Sequence, residues 1–233
     1  MDNTDWYRAN LTSDGVMNVL IEAEHQGAET DAVMTVVLSV STGVVLQTWT
    51  APIGANALSI STVLSKTCLG NSTNFYLRVS SSICGASYRI SYSVAPPVFA
   101  GDLEPNSGTP GSLLAHDSYQ DGHLQFYPGT DPDIFNIIPP INGVMRFEVQ
   151  AEHAGAVEGS MELRLYTTVG TTIQFWTIPV GANGVPITST VSITCRGSST
   201  DYDVRLSSTT SGVSYRWKYT MLPAFFPTDA EPN

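Results

Sequence analysis

The chain is a tandem duplication, and this constrains its fold more than any single motif. Trp49 and Trp176, Gly54 and Gly181, Cys68 and Cys195, Arg78 and Arg205, Tyr88 and Tyr215, and Tyr92 and Tyr219 each lie 127 residues apart. Glu104-Pro105-Asn106 returns at the same offset as Glu231-Pro232-Asn233. Nearer the N-terminus the offset is 128, because Ala23-Glu24-His25 matches Ala151-Glu152-His153, so the first copy carries one extra residue between Gly27 and Met34. A surface loop absorbs such an insertion at little cost. The copies read as residues 1–101 and 102–233. Two copies that keep scaffold residues and no catalytic asymmetry point to a chain that binds, spaces or assembles.

The copies are cut in different registers. The first begins at the position the second reaches at about Thr130, so it lacks the equivalent of residues 103–129, including the apolar segments Leu113-Leu114-Ala115 and Leu124-Gln125-Phe126-Tyr127 that read as strands. Without them its sandwich is expected to expose apolar side chains and unpaired edge amides, an invitation to association. The closing Asp229-Ala230-Glu231-Pro232-Asn233 repeats the opening of the second copy. Either the sequence is a piece of a longer array, or another molecule supplies the opening of the first copy.

Hydrophobic periodicity gives the secondary structure. Phe147, Val149 and Ala151 alternate with Arg146, Glu148 and Gln150, the period of a half-buried strand, and Val19, Ile21 and Ala23 repeat the pattern in the first copy. Met161, Leu163 and Leu165, matched by Met34, Val36 and Leu38, form a second inward-facing row. Further strands read at about Val44–Trp49, Leu58–Cys68, Phe75–Ser80 and Tyr88–Val94, divided by Gly, Ser, Asn and Thr turns. No segment carries a helical period. The class is therefore all-β: two tandem antiparallel β-sandwiches. Tyr215, Trp217 and Tyr219 share one strand face, as do Tyr88, Ile90 and Tyr92, and are read as core rather than as an aromatic platform. Trp49 and Trp176 are read as buried anchors.

Charge narrows the partners. Only 13% of residues are charged, the net charge is −11, and the ten Lys and Arg form no cluster, which disfavours nucleic acid and anionic membranes. No apolar run reaches the roughly 18 residues of a membrane span. Met1-Asp2-Asn3 does not open a signal peptide. The Ser, Thr, Gly and Val-rich, Lys-poor composition is that of surface-exposed β proteins, so an extracellular or cell-surface location is expected. Asn10-Leu11-Thr12 and Asn71-Ser72-Thr73 are sequons that would permit glycosylation of Asn10 and Asn71.

The order Glu104-Pro105-Asn106, then Asp131-Pro132-Asp133-Ile134-Phe135, then alternating strands ending in Tyr-x-x-x-Tyr resembles the bacterial pre-peptidase C-terminal domain, a family that includes the collagen-binding domains of secreted collagenases. The first copy carries the Asp-Trp-Tyr form at Asp5-Trp6-Tyr7. The resemblance implies a jelly-roll-like sandwich, exported and often calcium-binding. It places calcium ligands at Asp102, Glu104 and Asn106 of the linker and at Asp131 and Asp133 of the later turn, although Ser107 stands where the family often has an acidic residue. A split version would pair Asn3 and Asp5 with Asp229, Glu231 and Asn233 of another molecule. Calcium takes six to eight oxygen ligands from carboxylates, amides and carbonyls, which two short acidic segments can supply.

Other constellations are weaker. Glu24-His25 and Glu152-His153 offer one His beside one Glu, short of the three or four ligands of a metal site. His116 and His123 occur only in the second copy. No Gly-x-Ser-x-Gly, His-Glu-x-x-His or phosphate-binding loop is present. Cys68 and Cys84, 16 residues apart, are expected to form an intradomain disulfide of the kind that stabilises exported domains, the alternative being that all three cysteines are small buried apolar residues; Ser211 replaces the second Cys in the other copy and leaves Cys195 unmatched.

The sequence thus predicts a non-enzymatic extracellular structural or adhesive repeat module that self-associates head to tail with calcium-stabilised linkers. Extracellular matrix or polysaccharide would be its other partners. The alternative is an accessory substrate-binding pair of domains of a secreted peptidase.

Overall fold

The computed structural model describes residues 4–12, 14–68, 73–99, 101–102, 111–124, 132–197 and 200–223. Their regular secondary structure is all strand, and among them no helix is long and apolar enough to cross a membrane. The chain divides into two compact units, Met1–Pro96 and Pro97–Asn233. The division falls five residues before the boundary expected from the repeat, because the segment after Pro97 is anchored on the second unit.

The second unit holds β8 (Ser112–Leu113), β9 (Gln120–Leu124), β10 (Asp133–Ile137), β11 (Gly143–His153), β12 (Gly159–Thr167), β13 (Thr172–Val180), β14 (Ile187–Cys195), β15 (Tyr202–Ser208) and β16 (Val213–Pro223). One sheet has the order β14-β11-β16-β9 and the other β13-β12-β15-β10-β8. From β9 to β16 successive strands alternate between the sheets, except that β12 and β13 pair as a hairpin within one sheet, the eight-stranded jelly-roll arrangement, with β8 added in parallel beside β10. Phe147, Val149, Leu163, Leu165, Tyr215, Trp217 and Tyr219 fill the space between the sheets, all fully or almost fully buried. Trp217 packs on Phe135 with ring centroids 5.0 Å apart, and Trp176 on Phe147 at 5.7 Å.

The first unit holds β1 (Thr4–Leu11), β2 (Gly15–Glu24), β3 (Val33–Val40), β4 (Val45–Pro52), β5 (Ile60–Cys68), β6 (Thr73–Ser81) and β7 (Ser87–Ala95). Its sheets, β1-β6-β3-β4 and β5-β2-β7, reproduce β10-β15-β12-β13 and β14-β11-β16. The registers match pair for pair: Glu24 faces Ser87 as Glu152 faces Ser214, and Val19 faces Tyr92 as Phe147 faces Tyr219 only two residues along, where Met17 and Val94 replace Met145 and Met221. The core is Met17, Val19, Ile21, Met34, Val36, Leu38, Phe75 and Leu77. Among the described residues nothing corresponds to β8 or β9.

Both units keep one irregular corner, which explains several of the duplicated residues. Gly54 and Gly181 bridge Glu24 and Glu152 in parallel. A side chain there would strike the carbonyl of Leu58 or Val185, at 1.6 and 1.8 Å from the added carbon, so only glycine fits. His25 and His153 close the same corner. Their Nε2 lies 2.8 Å from the carbonyl oxygens of Glu29 and Val157, and their Nδ1 accepts the amides of Gly27 and Gly155. The duplicated histidines are structural pins of a turn, in keeping with the reading from sequence.

The expected Cys68–Cys84 disulfide is not formed. Both thiols are free, Cys68 buried and Cys84 exposed. Cys68 pairs with Gly15 at one end of β2, whereas the turn bearing Cys84 enters β7 at Ser87, opposite Glu24 at the other end. Nine residue steps of extended strand separate those ends by about 30 Å, far beyond the roughly 7 Å that a disulfide tolerates between α-carbons. Spacing in sequence misled here because β6 runs the length of the sandwich between the two cysteines. Burial pushes the Cys68 thiol up to about 12, with Lys66 opposing, and burial also raises that of Cys195.

Candidate functional site: the edge and outer face of the β7 and β16 strands

Asp133 and Asp5, expected as calcium ligands, occupy equivalent positions opposite Leu206 and Val79 and make the same contact. Each accepts a hydrogen bond from the tyrosine of the opposite sheet, Asp133 from Tyr215 and Asp5 from Tyr88 at 2.5 Å. The Asp-x-aromatic motif is therefore an inter-sheet tie. In the second unit both partners are fully buried; in the first, Asp5 is exposed and Tyr88 half-buried, with a further hydroxyl contact of 2.7 Å to Tyr7. Desolvation, then the bonds to Asp5 and Tyr7, raise the Tyr88 hydroxyl above the usual phenol range.

Asp102 lies elsewhere. Its Oδ2 is 3.5 Å from Nδ1 of His123 on β9. Gly122, the neighbour of His123, faces Tyr215 and Asp133 on the inner side. Adjacent strand residues project to opposite faces, so Asp102 and Asp133, two of the expected ligands, stand on opposite sides of β9 and are not brought together. Glu104, Asn106, Asp131, Asn3, Asp229, Glu231 and Asn233, and the sequon residue Asn71, lie outside the described residues. Asn10 is exposed on β1.

The second unit shows how β16 is covered along its edge. β9 pairs with it antiparallel, Leu124 opposite Val213 through to Gln120 opposite Trp217. Farther along, the Asp117 amide donates to the Tyr219 carbonyl at 2.9 Å, the Met221 amide donates to Nε2 of His116 at 3.0 Å, and the His116 ring meets Tyr219 edge-on at 5.5 Å. Tyr219 is consequently 1% exposed and Trp217 fully buried. Gly122 is required within this cover, since a side chain there would lie 2.3 Å from the Tyr215 hydroxyl.

A second element covers the outer face of the same strands. Residues 98, 99, 101 and 102 lie across β11, β16 and β9 as a strap. The Val98 amide donates to Glu152 at 3.3 Å, and the Phe99 amide donates to the Ser214 hydroxyl at 3.0 Å. The Phe99 carbonyl accepts from Ser214 at 3.3 Å and lies 2.6 Å from Nε2 of His123. The Arg216 guanidinium, held by Asp121 at 2.6 and 3.0 Å, sits 5.3 Å from the Phe99 ring centre. Glu152, Ser214 and His123 are all buried beneath the strap. Burial raises the Glu152 carboxyl, with the Val98 amide and the Ser214 hydroxyl opposing.

Among the described residues, the same strand of the first unit has neither cover. β7 pairs only with β2, and no described strand adjoins its other edge. Tyr92 is 43% exposed and Tyr7 39%, where their counterparts Tyr219 and Phe135 are buried. Tyr7, Arg8, Leu77, Ile90, Ser91 and Tyr92 line an open groove of about 380 Å³. The reading of Tyr88, Ile90 and Tyr92 as core therefore holds for the face they occupy but not for their burial. On the outer side, Ser87 and Arg89 are exposed and Glu24 half-buried.

The fold defines a class: tandem jelly-roll β-sandwiches, in which the described residues of the second unit include a strand equivalent to β9 and those of the first do not. No family model matches the chain, and no curated protein matches it. Among solved structures it is similar to the N-terminal CBM22-1-CBM22-2 tandem domain of Xyn10C from Paenibacillus barcinonensis, at 10% identity over 91% of this chain and 80% of that one, with a TM-score of 0.32. That score is too low to carry family or function across.

Proposed function

We propose that the chain is a non-enzymatic structural module of an extracellular assembly, and that copies of it join head to tail through the β7 edge of the first sandwich. The observation that supports this reading is the contrast between β7 and β16. Equivalent strands in equivalent sheets differ in that one is sealed by a strand and a strap and the other presents an edge and an aromatic groove. Open edges with apolar inner faces are templates for strand addition. A contact between unlike ends of identical chains generates an open filament unless its rotation closes a ring.

Hydrogen–deuterium exchange of the β7 amides tests the reading. Exchange should slow selectively in β7 and around Tyr7 as the protein is concentrated, and electron microscopy of concentrated samples should show linear assemblies. Concentration-independent exchange in β7, with isolated particles throughout, would refute it.

A further inference from the structure

The strap on the second unit has a duplicate, and so does the set of residues that receives it. Phe225-Phe226-Pro227-Thr228-Asp229 stands 127 residues after Val98-Phe99-Ala100-Gly101-Asp102. The receiving residues Glu152, Ser214 and Arg216 return in the first unit as Glu24, Ser87 and Arg89, with Glu24 opposite Ser87 as Glu152 is opposite Ser214. In the second unit this set grips a backbone and an aromatic ring. In the first no described residue covers it: the Arg89 side chain is 85% exposed and pairs with the Glu22 carboxylate 3.5 Å away. Two outward-facing apolar side chains, Leu20 and Val63, lie beside it on β2 and β5, both exposed and opposite one another in the register.

We propose that Glu24, Ser87 and Arg89 form a docking clamp for residues 225–229 of a second copy of this chain. The Phe225 amide would donate to Glu24, as that of Val98 does to Glu152. Phe226 would exchange hydrogen bonds with Ser87 and lie under Arg89, as Phe99 does with Ser214 and Arg216. The proposal rests on the head-to-tail reading above and names the contact that makes it.

The test uses a fluorescent peptide spanning Leu222–Asn233, with the full chain carrying Phe226→Ala as the acceptor, so that its own C-terminal segment does not compete. Saturable binding is expected by anisotropy. Substituting Phe226→Ala in the peptide should weaken it roughly tenfold or more through loss of the ring under arginine and its buried area. Arg89→Glu and Ser87→Lys in the acceptor, both exposed positions whose thermal melting should match the parent, should abolish it. Absence of saturable binding, or binding indifferent to Arg89 and Ser87, overturns the clamp. If chains still associate in that case, the head-to-tail reading stands without it. If the peptide binds but the wild-type chain stays monomeric and refuses peptide, the clamp is filled by its own C-terminal segment, and a second copy as occupant is ruled out.

Discussion

Removing one oxygen from each of two equivalent tyrosines should have unequal consequences. In Tyr215→Phe the ring is kept and the donor to Asp133 is lost, at a site where both residues are fully buried. A hydrogen bond to a charged group contributes about 1.5–3 kcal/mol, and a buried acceptor cannot replace the lost donor with bulk water, so the second unit should be destabilised by about 2–4 kcal/mol. In Tyr88→Phe the deprived acceptor is Asp5, which is exposed and regains water, so the first unit should lose less than about 1 kcal/mol. Urea unfolding read by hydrogen exchange and mass spectrometry follows peptides of each sandwich separately and yields both values. Because the contact is a tie between sheets, both losses should be the same in calcium and in EDTA. Equal losses in the two variants, or a Tyr215→Phe deficit that calcium removes, would refute the assignment of Asp133 as an inter-sheet acceptor.

Further outcomes follow from individual sites. Alkylation without reduction should label the exposed Cys84 first, and Cys68 only on unfolding, given its burial and a thiol near 12; a disulfide found in non-reducing mass spectrometry would contradict the fold at that point. Ala57 has φ +60° where the other copy has Gly184 at +71°, so Ala57→Gly should stabilise the first unit by up to about 1 kcal/mol in urea unfolding and Gly184→Ala should cost the second a similar amount. The folded state holds the Glu152 proton more tightly than the unfolded chain does. Its contribution to stability therefore falls as pH rises through the carboxylate range. Glu152→Gln, which keeps an acceptor for the Val98 amide, should flatten that fall in the stability–pH profile; an unchanged profile would show that the carboxyl contributes nothing to it.

Where period-two alternation met a single core, the sequence was sufficient. The inward rows Val19-Ile21-Ala23, Met34-Val36-Leu38, Phe147-Val149-Ala151 and Met161-Leu163-Leu165 are all buried as the pattern required. β9 was not legible, because Gln120-Asp121-Gly122-His123 has no apolar alternation. Its inner position must be glycine to admit Tyr215, and its outer positions carry the polar groups that hold Arg216 and the strap. The apolar run expected to be the strand begins only at its last residue, Leu124. The clamp was visible as duplication but not as a site, because Glu, Ser and Arg on a strand's outer face look like a solvated surface until a segment is seen lying on them. The disulfide and the convergence of Asp102 with Asp133 share one history: both assumed that residues near in sequence or alike in chemistry converge, whereas the jelly roll sends them to opposite ends or opposite faces.

Sedimentation velocity of the intact chain over a wide concentration range tests the central claim most directly. The account predicts a weight-average mass that rises with concentration beyond a dimer, and a return to monomer when Tyr92→Lys charges the groove beside β7 or Arg89→Glu reverses the clamp. A single monomeric species at every concentration, or assembly that both substitutions leave untouched, would contradict it.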